Sequence, residues 1–235
     1  MGNNNALEAI VEERNKKAKA SYIEWLKNEE NPNQVGYDSD TKKWIPHKSP
    51  EGGTKTVGYG YKLTKAEEES QTVTINGKSV SYKNGLTNDQ IDTMLKQEID
   101  TAFKDTKNVF VKKYSEDDWN NLSEDSKYLL TDYSYNVIGG IGKYPSMMEG
   151  VKKGDWQKVK KEYKRGFYEP TEGGTHKKDK NGKWIEVESG GTHTYKELGR
   201  NKRTYNKFIA PHLDVGSIED MLMNNMLNRD RGFFA

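Results

Sequence analysis

The stretch Ser49–Thr64, SPEGGTKTVGYGYKLT, constrains the chain more than any other. Its second half alternates. On a strand, Thr56, Gly58 and Gly60 share one face, and Val57, Tyr59, Tyr61 and Leu63 share the other. One face is bulky enough to pack, while the opposite face is bare except for one hydroxyl. Glycine weakens a strand, so its repetition marks a bulge or a close approach by a ligand or another backbone. Upstream, Ser-Pro-Glu-Gly-Gly reads as a tight turn carrying a carboxylate, Glu51, five residues before Thr56. A carboxylate beside a bare strand face with one threonine is what a sugar-cleaving groove needs. An ordinary glycine-rich hairpin is the simpler reading of the same residues.

The rest of the chain narrows the choice. Its 235 residues suffice for one large domain or two small ones. Only 32% are hydrophobic, but 14 Tyr and 5 Trp add apolar area beyond the aliphatic residues. A net charge of +2 is too small to argue for nucleic acid and mildly suits an anionic polymer such as a bacterial wall. There is no cysteine, hence no disulfide framework and no thiolate metal site. No apolar run approaches the roughly 20 residues of a membrane span, and the polar start MGNNNALEAIVEERNKK does not read as a signal peptide. The protein is therefore expected to be made soluble.

Periodicity predicts a helix over Asn5–Glu30, stopped by Asn31-Pro32-Asn33. Glu29 and Glu30 then sit at its C-terminal end, where the helix dipole and their mutual repulsion both favour a protonated carboxyl. Gly36–Gly53 reads as a loop with a short strand near Trp44-Ile45. Gln71–Tyr82 reads as a hairpin turning at Asn76-Gly77. Thr87 and Gln90 form a capping box for a helix to Lys107. Further helices are expected over Trp119–Val137, Ser146–Lys153, Asp155–Phe167, Tyr195–Phe208 and Ser217–Asn228, with a second hairpin turning at Asn181-Gly182. One long helix, a small sheet and a helix cluster make an α+β fold with two lobes and a groove between them.

TVGYGYKLT resembles the T-I-G-Y-G-H-x-L-T strand of phage-type lysozymes, the muramidases of tailed bacteriophages. The similarity runs from Tyr22 to Phe208. It continues through the capped helix at Leu86-Thr87, the Tyr135-Asn136-Val137-Ile138-Gly139 pattern, GDWQKVKKEY and the basic GRNKRTYNKF. The resemblance implies a lysozyme-like fold in a domain 1–215, with a tail 216–235 beyond it. It implies hydrolysis of the β-1,4 bond between N-acetylmuramic acid and N-acetylglucosamine, with no cofactor and no metal. Glu30, seven residues before Tyr37, takes the place of the catalytic acid, with Glu29 second, and Thr56 matches the family threonine. The second carboxylate is Glu51, Asp40 or Asp38, with Glu51 favoured because it shares the hairpin with Thr56. Gly58 and Tyr59 fall on the substrate strand. Asn136 either caps its helix or hydrogen-bonds an N-acetyl group. Tyr61 stands where the family has His.

The implied partner is bacterial peptidoglycan. The implied location is the host cytoplasm until lysis, or the virion. Met-rich Gly216–Ala235, ending in Phe233-Phe234-Ala235, is expected to dock on the domain or on a virion protein. Two alternatives stand beside the muramidase: a lytic transglycosylase working with Glu30 alone, and a non-catalytic wall-binding module. Gly139–Tyr144 lacks the residues of a phosphate loop, and His47, His176, His193 and His212 show no metal-ligand spacing. The Lys/Arg run from Lys196 to Lys207 reads as a solvated helix face.

Overall fold

The computed structural model describes residues 2–48, 54–137, 139–170, 176–178, 184–186, 193–197 and 199–213. Glu51, the Asn181-Gly182 turn and the expected tail 216–235 lie outside them. The described chain mixes helices with small antiparallel sheets, the α+β class the sequence implies. It falls into two compact units, Met1–Lys143 and Tyr144–Ala235. No helix among the described residues is long and apolar enough to cross a membrane.

In the first unit α1 (Gly2–Glu30) ends at Glu30, as its Asn-Pro stop signal requires. Its last third is held inward by Tyr22, Ile23 and Leu26, all buried, with Tyr22 stacked on Tyr128 at 4.9 Å. Earlier in the helix Ile10 and Val11 are exposed. Then β1 (Tyr37–Asp38) pairs with β2 (Lys43–Trp44). A three-stranded sheet follows, in the order β3 (His47–Lys48), β4 (Lys55–Val57), β5 (Tyr61–Lys62).

Thr56 to Leu63 is therefore not one alternating strand. The chain reverses between β4 and β5, with Gly58 at φ +64° and Gly60 at φ +99°. Both glycines supply backbone conformations that side-chain-bearing residues rarely adopt. Gly58 is also crowded: a Cβ there would stand 2.5 Å from Cγ2 of Ile91.

A short helix α2 (Lys65–Ser70) follows, with a capping box between Thr64 and Glu67. Thr-x-x-Glu announces it in the sequence, but it is too short to show periodicity. The expected hairpin forms as β6 (Thr72–Ile75) and β7 (Lys78–Ser81), with positive φ at Asn76 and Gly77. Next, α3 (Asn88–Lys113) starts at the predicted capping box and runs six residues past the expected end. Trp44, Val57, Leu63, Val73, Tyr82, Leu86, Ile91 and Met94 close the sheet core, with Tyr59 and Tyr61 packed against it.

The helix expected over Trp119–Val137 is two helices, α4 (Glu116–Asn120) and α5 (Glu124–Asn136). Ser115 and Ser123 each accept a hydrogen bond from the third backbone N–H onward, so each starts a new helix.

In the second unit α6 (Pro145–Lys153) and α7 (Trp156–Glu162) turn at Gly154, which is left-handed at φ +67°. Gly150 lets them pack closely, since a Cβ there would lie 3.0 Å from Val159. Strands β8 (Gly166–Pro170) and β11 (His193–Glu197) pair, and β9 (His176–Lys178) pairs with β10 (Trp184–Glu186). The basic helix α8 (Gly199–Thr204) runs into a π-helical turn, Tyr205–Ile209. The helix expected from Tyr195 thus begins later, because Tyr195 to Glu197 are committed to pairing with β8. Asn201 fixes that helix by exchanging hydrogen bonds with the backbone of Arg165, at 2.6 and 3.0 Å.

Candidate active site

The end of α1 is anchored to the sheet by its first non-helical residue. Asn31 is buried and its side-chain amide donates to the carbonyl of Gly58 at 2.8 Å and to that of Val35 at 3.0 Å. Its Oδ1 accepts from the Val35 N–H at 2.8 Å. One side chain thus closes the loop after the helix and holds the β4–β5 turn against it. Lys27, one turn earlier, bonds Asp92 of α3 at 2.9 Å and lies 5.5 Å from the centre of the Tyr59 ring. Burial draws the Lys27 ammonium down, but hydrogen bonds to Asp92 and Glu24 outweigh it and hold the group above its ordinary value.

These anchors set Glu30 on a cleft of about 420 Å³, with Thr56, Gly58, Gly60, His47 and Lys62 among its lining residues. Glu30 is half-buried, and its Oε2 stands 4.0 Å from where a Gly60 Cβ would be. A methyl group at position 60 would be in ordinary van der Waals contact with the carboxylate. Across the cleft Thr56 is 8% exposed, and its hydroxyl lies 3.2 Å from Nε2 of His47, its cross-strand partner. His47 Nδ1 is buried without a hydrogen-bond partner.

Of the residues singled out in the sequence, Glu30, Thr56 and Gly58 meet at this cleft. Tyr59 does not line it: the ring packs against Trp44 at 5.4 Å, on the core side of the turn. Asp40 is exposed in the β1–β2 turn, and its backbone N–H donates to Asp38. Asp38 also accepts from the Thr41 hydroxyl, which with the two backbone donors holds its carboxyl below the usual carboxylate range. Asp38 and Asp40 thus organise their own turn. Asn136 is exposed and reaches back to the Asp132 carbonyl at 2.9 Å, the backbone-capping alternative.

Four contributors were not legible in the sequence. Asn31 reads in the sequence as a helix stop, and nothing in its neighbours marks Lys62. His47 seemed one of four scattered histidines, yet the β3–β4 register sets it opposite Thr56. Glu98 sits mid-helix on α3 and lines a second cavity, about 480 Å³, with Tyr61 and Tyr135. Burial pushes its carboxyl up to about 7; a hydrogen bond from Tyr135 opposes that, and the charge of Glu30 adds to it. Among the described residues no group of three or more His, Asp or Glu side chains is arranged to hold a metal ion.

Compared with protein-family models, curated proteins and solved structures, the chain matches none.

Proposed function

We propose that this protein is a peptidoglycan-degrading muramidase of the phage-lysozyme type. The observation that carries the reading is Glu30, half-buried at a helix end, facing glycine backbone and a Thr56–His47 pair across an open cleft. A sugar ring needs a side-chain-free surface to come within reach of a proton donor, and Gly60 offers one. In this reading Glu30 protonates the glycosidic oxygen as it leaves. The Thr56 hydroxyl orients the attacking water, with His47 holding that hydroxyl in place. Glu51 supplies the second carboxylate from the β3–β4 connection. If the two carboxyl groups stand roughly 6.5–9.5 Å apart, a water fits between them and the reaction inverts the anomeric centre. Peptidoglycan is the partner, reached from the host cytoplasm at lysis or from the virion.

One observation favours a second reading. The described lining of the cleft holds a single carboxylate, Glu30. That suits a lytic transglycosylase, in which one Glu serves as acid and then as base. Purified wall treated with the enzyme separates the two: hydrolysis leaves a muramic acid reducing end, transglycosylation a 1,6-anhydro ring. Glu30→Gln keeps the shape and removes the proton, so either chemistry should fall by at least about two orders of magnitude. A folded Glu30→Gln protein with full activity refutes both. Glu51→Gln should cost far more activity than Asp40→Asn in the muramidase and little in the transglycosylase.

A further inference from the structure

Lys62 is placed on the cleft by its neighbours in the chain. Tyr61 before it packs on the sheet core and donates its hydroxyl to Glu67, and Leu63 after it is buried. Alternation then sends Lys62 to the opposite face. That is the face of Thr56, its cross-strand partner, and Thr56 in turn pairs with His47. His47, Thr56 and Lys62 therefore form one row across three strands, and all three line the cleft of Glu30. Gly60, the glycine that faces the Glu30 carboxylate, lies two residues before Lys62, a step of roughly 6–7 Å along an extended chain. That is the scale of one sugar ring.

The row ends in a charge that the fold does not use. Elsewhere in the same unit, Lys27 holds Asp92 at 2.9 Å and Lys127 holds Glu124 at 2.8 Å. Lys62 is exposed, and among the described residues no carboxylate pairs with it. Glu30 is the one other charged side chain among the described residues that line this cleft. An ammonium so placed is available to an anion that enters beside Glu30.

Resting on the reading of this cleft as the place where a glycan is cut, we propose that Lys62 selects the substrate class. It binds a carboxylate of the wall polymer about one ring away from the bond that Glu30 protonates. Peptidoglycan carries such groups in two places: on the lactyl ether of muramic acid, where no stem peptide caps it, and along the stem peptides. A polymer of N-acetylglucosamine alone carries none. Lys62 therefore favours peptidoglycan over a neutral glycan of the same linkage. An exposed pair of this kind is modest in strength and screened by salt, so it acts on selectivity rather than on the chemical step.

The test compares wild-type protein, Lys62→Met and Lys62→Arg on purified peptidoglycan and on the same wall with its carboxylates converted to amides. Release of soluble fragments is followed at low salt over a range of wall concentrations. Lys62→Met should lose about two- to fivefold in kcat/KM on native wall, through KM with kcat kept, and nothing on amidated wall. Lys62→Arg should keep most of the rate, and about 0.5 M salt should erase the difference between the variants. Lys78→Met, an exposed change on β7 outside the cleft, controls for overall charge and should match wild type on both walls. Wall stripped of its stem peptides by an amidase identifies the carboxylate. A Lys62 effect that persists there assigns it to the lactyl group, and one that vanishes assigns it to the stem. The same loss on native and amidated wall, no loss on either, or an equal loss in Lys78→Met overturns the proposal. Sedimentation of the protein with intact wall reads the same contact without turnover. Wild-type protein that cuts no wall, yet binds native wall more tightly than amidated wall and loses that preference in Lys62→Met, refutes the muramidase reading and leaves the role of Lys62 in place.

Discussion

Asn31→Ala is the sharpest probe of how the candidate site is built. The side chain is 8% exposed and makes three hydrogen bonds that no neighbour duplicates in position. The bond to the Gly58 carbonyl is buried, so truncation leaves that oxygen without this donor, at a cost of about 1–3 kcal/mol. The two bonds to Val35 lie where the chain is half wet. Water replaces them, and each contributes about 0.5–1 kcal/mol. Together the loss should be about 2–5 kcal/mol. Urea unfolding should show it as a lower midpoint with an unchanged slope, since the surface exposed on unfolding hardly alters. In a thermal melt it corresponds to a drop of roughly 4–20 °C. Asn31→Asp separates the contributions: it still accepts from the Val35 N–H but cannot donate to Gly58, so it should be no more stable than Asn31→Ala. Activity should fall further than stability explains, because the same bond sets Glu30 against the β4–β5 turn, and small misplacements of a proton donor are costly. A loss below about 1 kcal/mol, or Asn31→Asp matching wild type, would refute the view that this residue joins the helix end to the sheet.

Gly60→Ala should lower both stability and activity: its φ of +99° strains a side-chain-bearing residue by about 1–3 kcal/mol, and the new methyl covers the bare backbone beside the Glu30 carboxylate. Equal wall lysis by a folded Gly60→Ala protein would show that the bare backbone is not used. Tyr61→Phe removes the bond to Glu67 but leaves that carboxylate on Thr64, so unfolding should register a loss of only about 1 kcal/mol. For Glu98 the folded carboxyl is raised from 4.5 to about 7, so its favourable contribution is full below about pH 4.5 and is lost as the pH rises through 7. Glu98→Gln should therefore stabilise the protein by on the order of 2–3 kcal/mol more at pH 8 than at pH 4, and a stability difference independent of pH would contradict the buried-carboxylate assignment.

Much of the fold follows from short-range signals that any reader of the chain can find. The capping box at Thr87 sets the start of α3, Asn76-Gly77 sets the β6–β7 hairpin, and Asn31-Pro32 ends α1 at Glu30. Each works because a few consecutive residues satisfy or deny backbone hydrogen bonds on the spot. The same locality explains the failures. Thr56–Leu63 alternates like one strand, yet two glycines with positive φ reverse it, and alternation carries no record of φ. Ser123 divides a continuous apolar stripe into two helices, and Tyr195 is drawn from a basic helix into pairing with β8.

By itself the sequence determined the α+β class, the end of α1 at Glu30, the β6–β7 hairpin and the absence of any disulfide. These depend on residue type and on neighbours within a turn or two. Tertiary structure alone decided that Gly60, rather than another glycine, faces Glu30, and that His47 rather than any other histidine meets Thr56. It alone turned Tyr59 toward Trp44 and brought Glu98 within electrostatic reach of Glu30. Glu30 and Gly60 are thirty residues apart in the chain, and Glu30 and Glu98 more than twice that. Their meeting depends on strand register and on the packing of α1 against the sheet and α3, which no local pattern encodes.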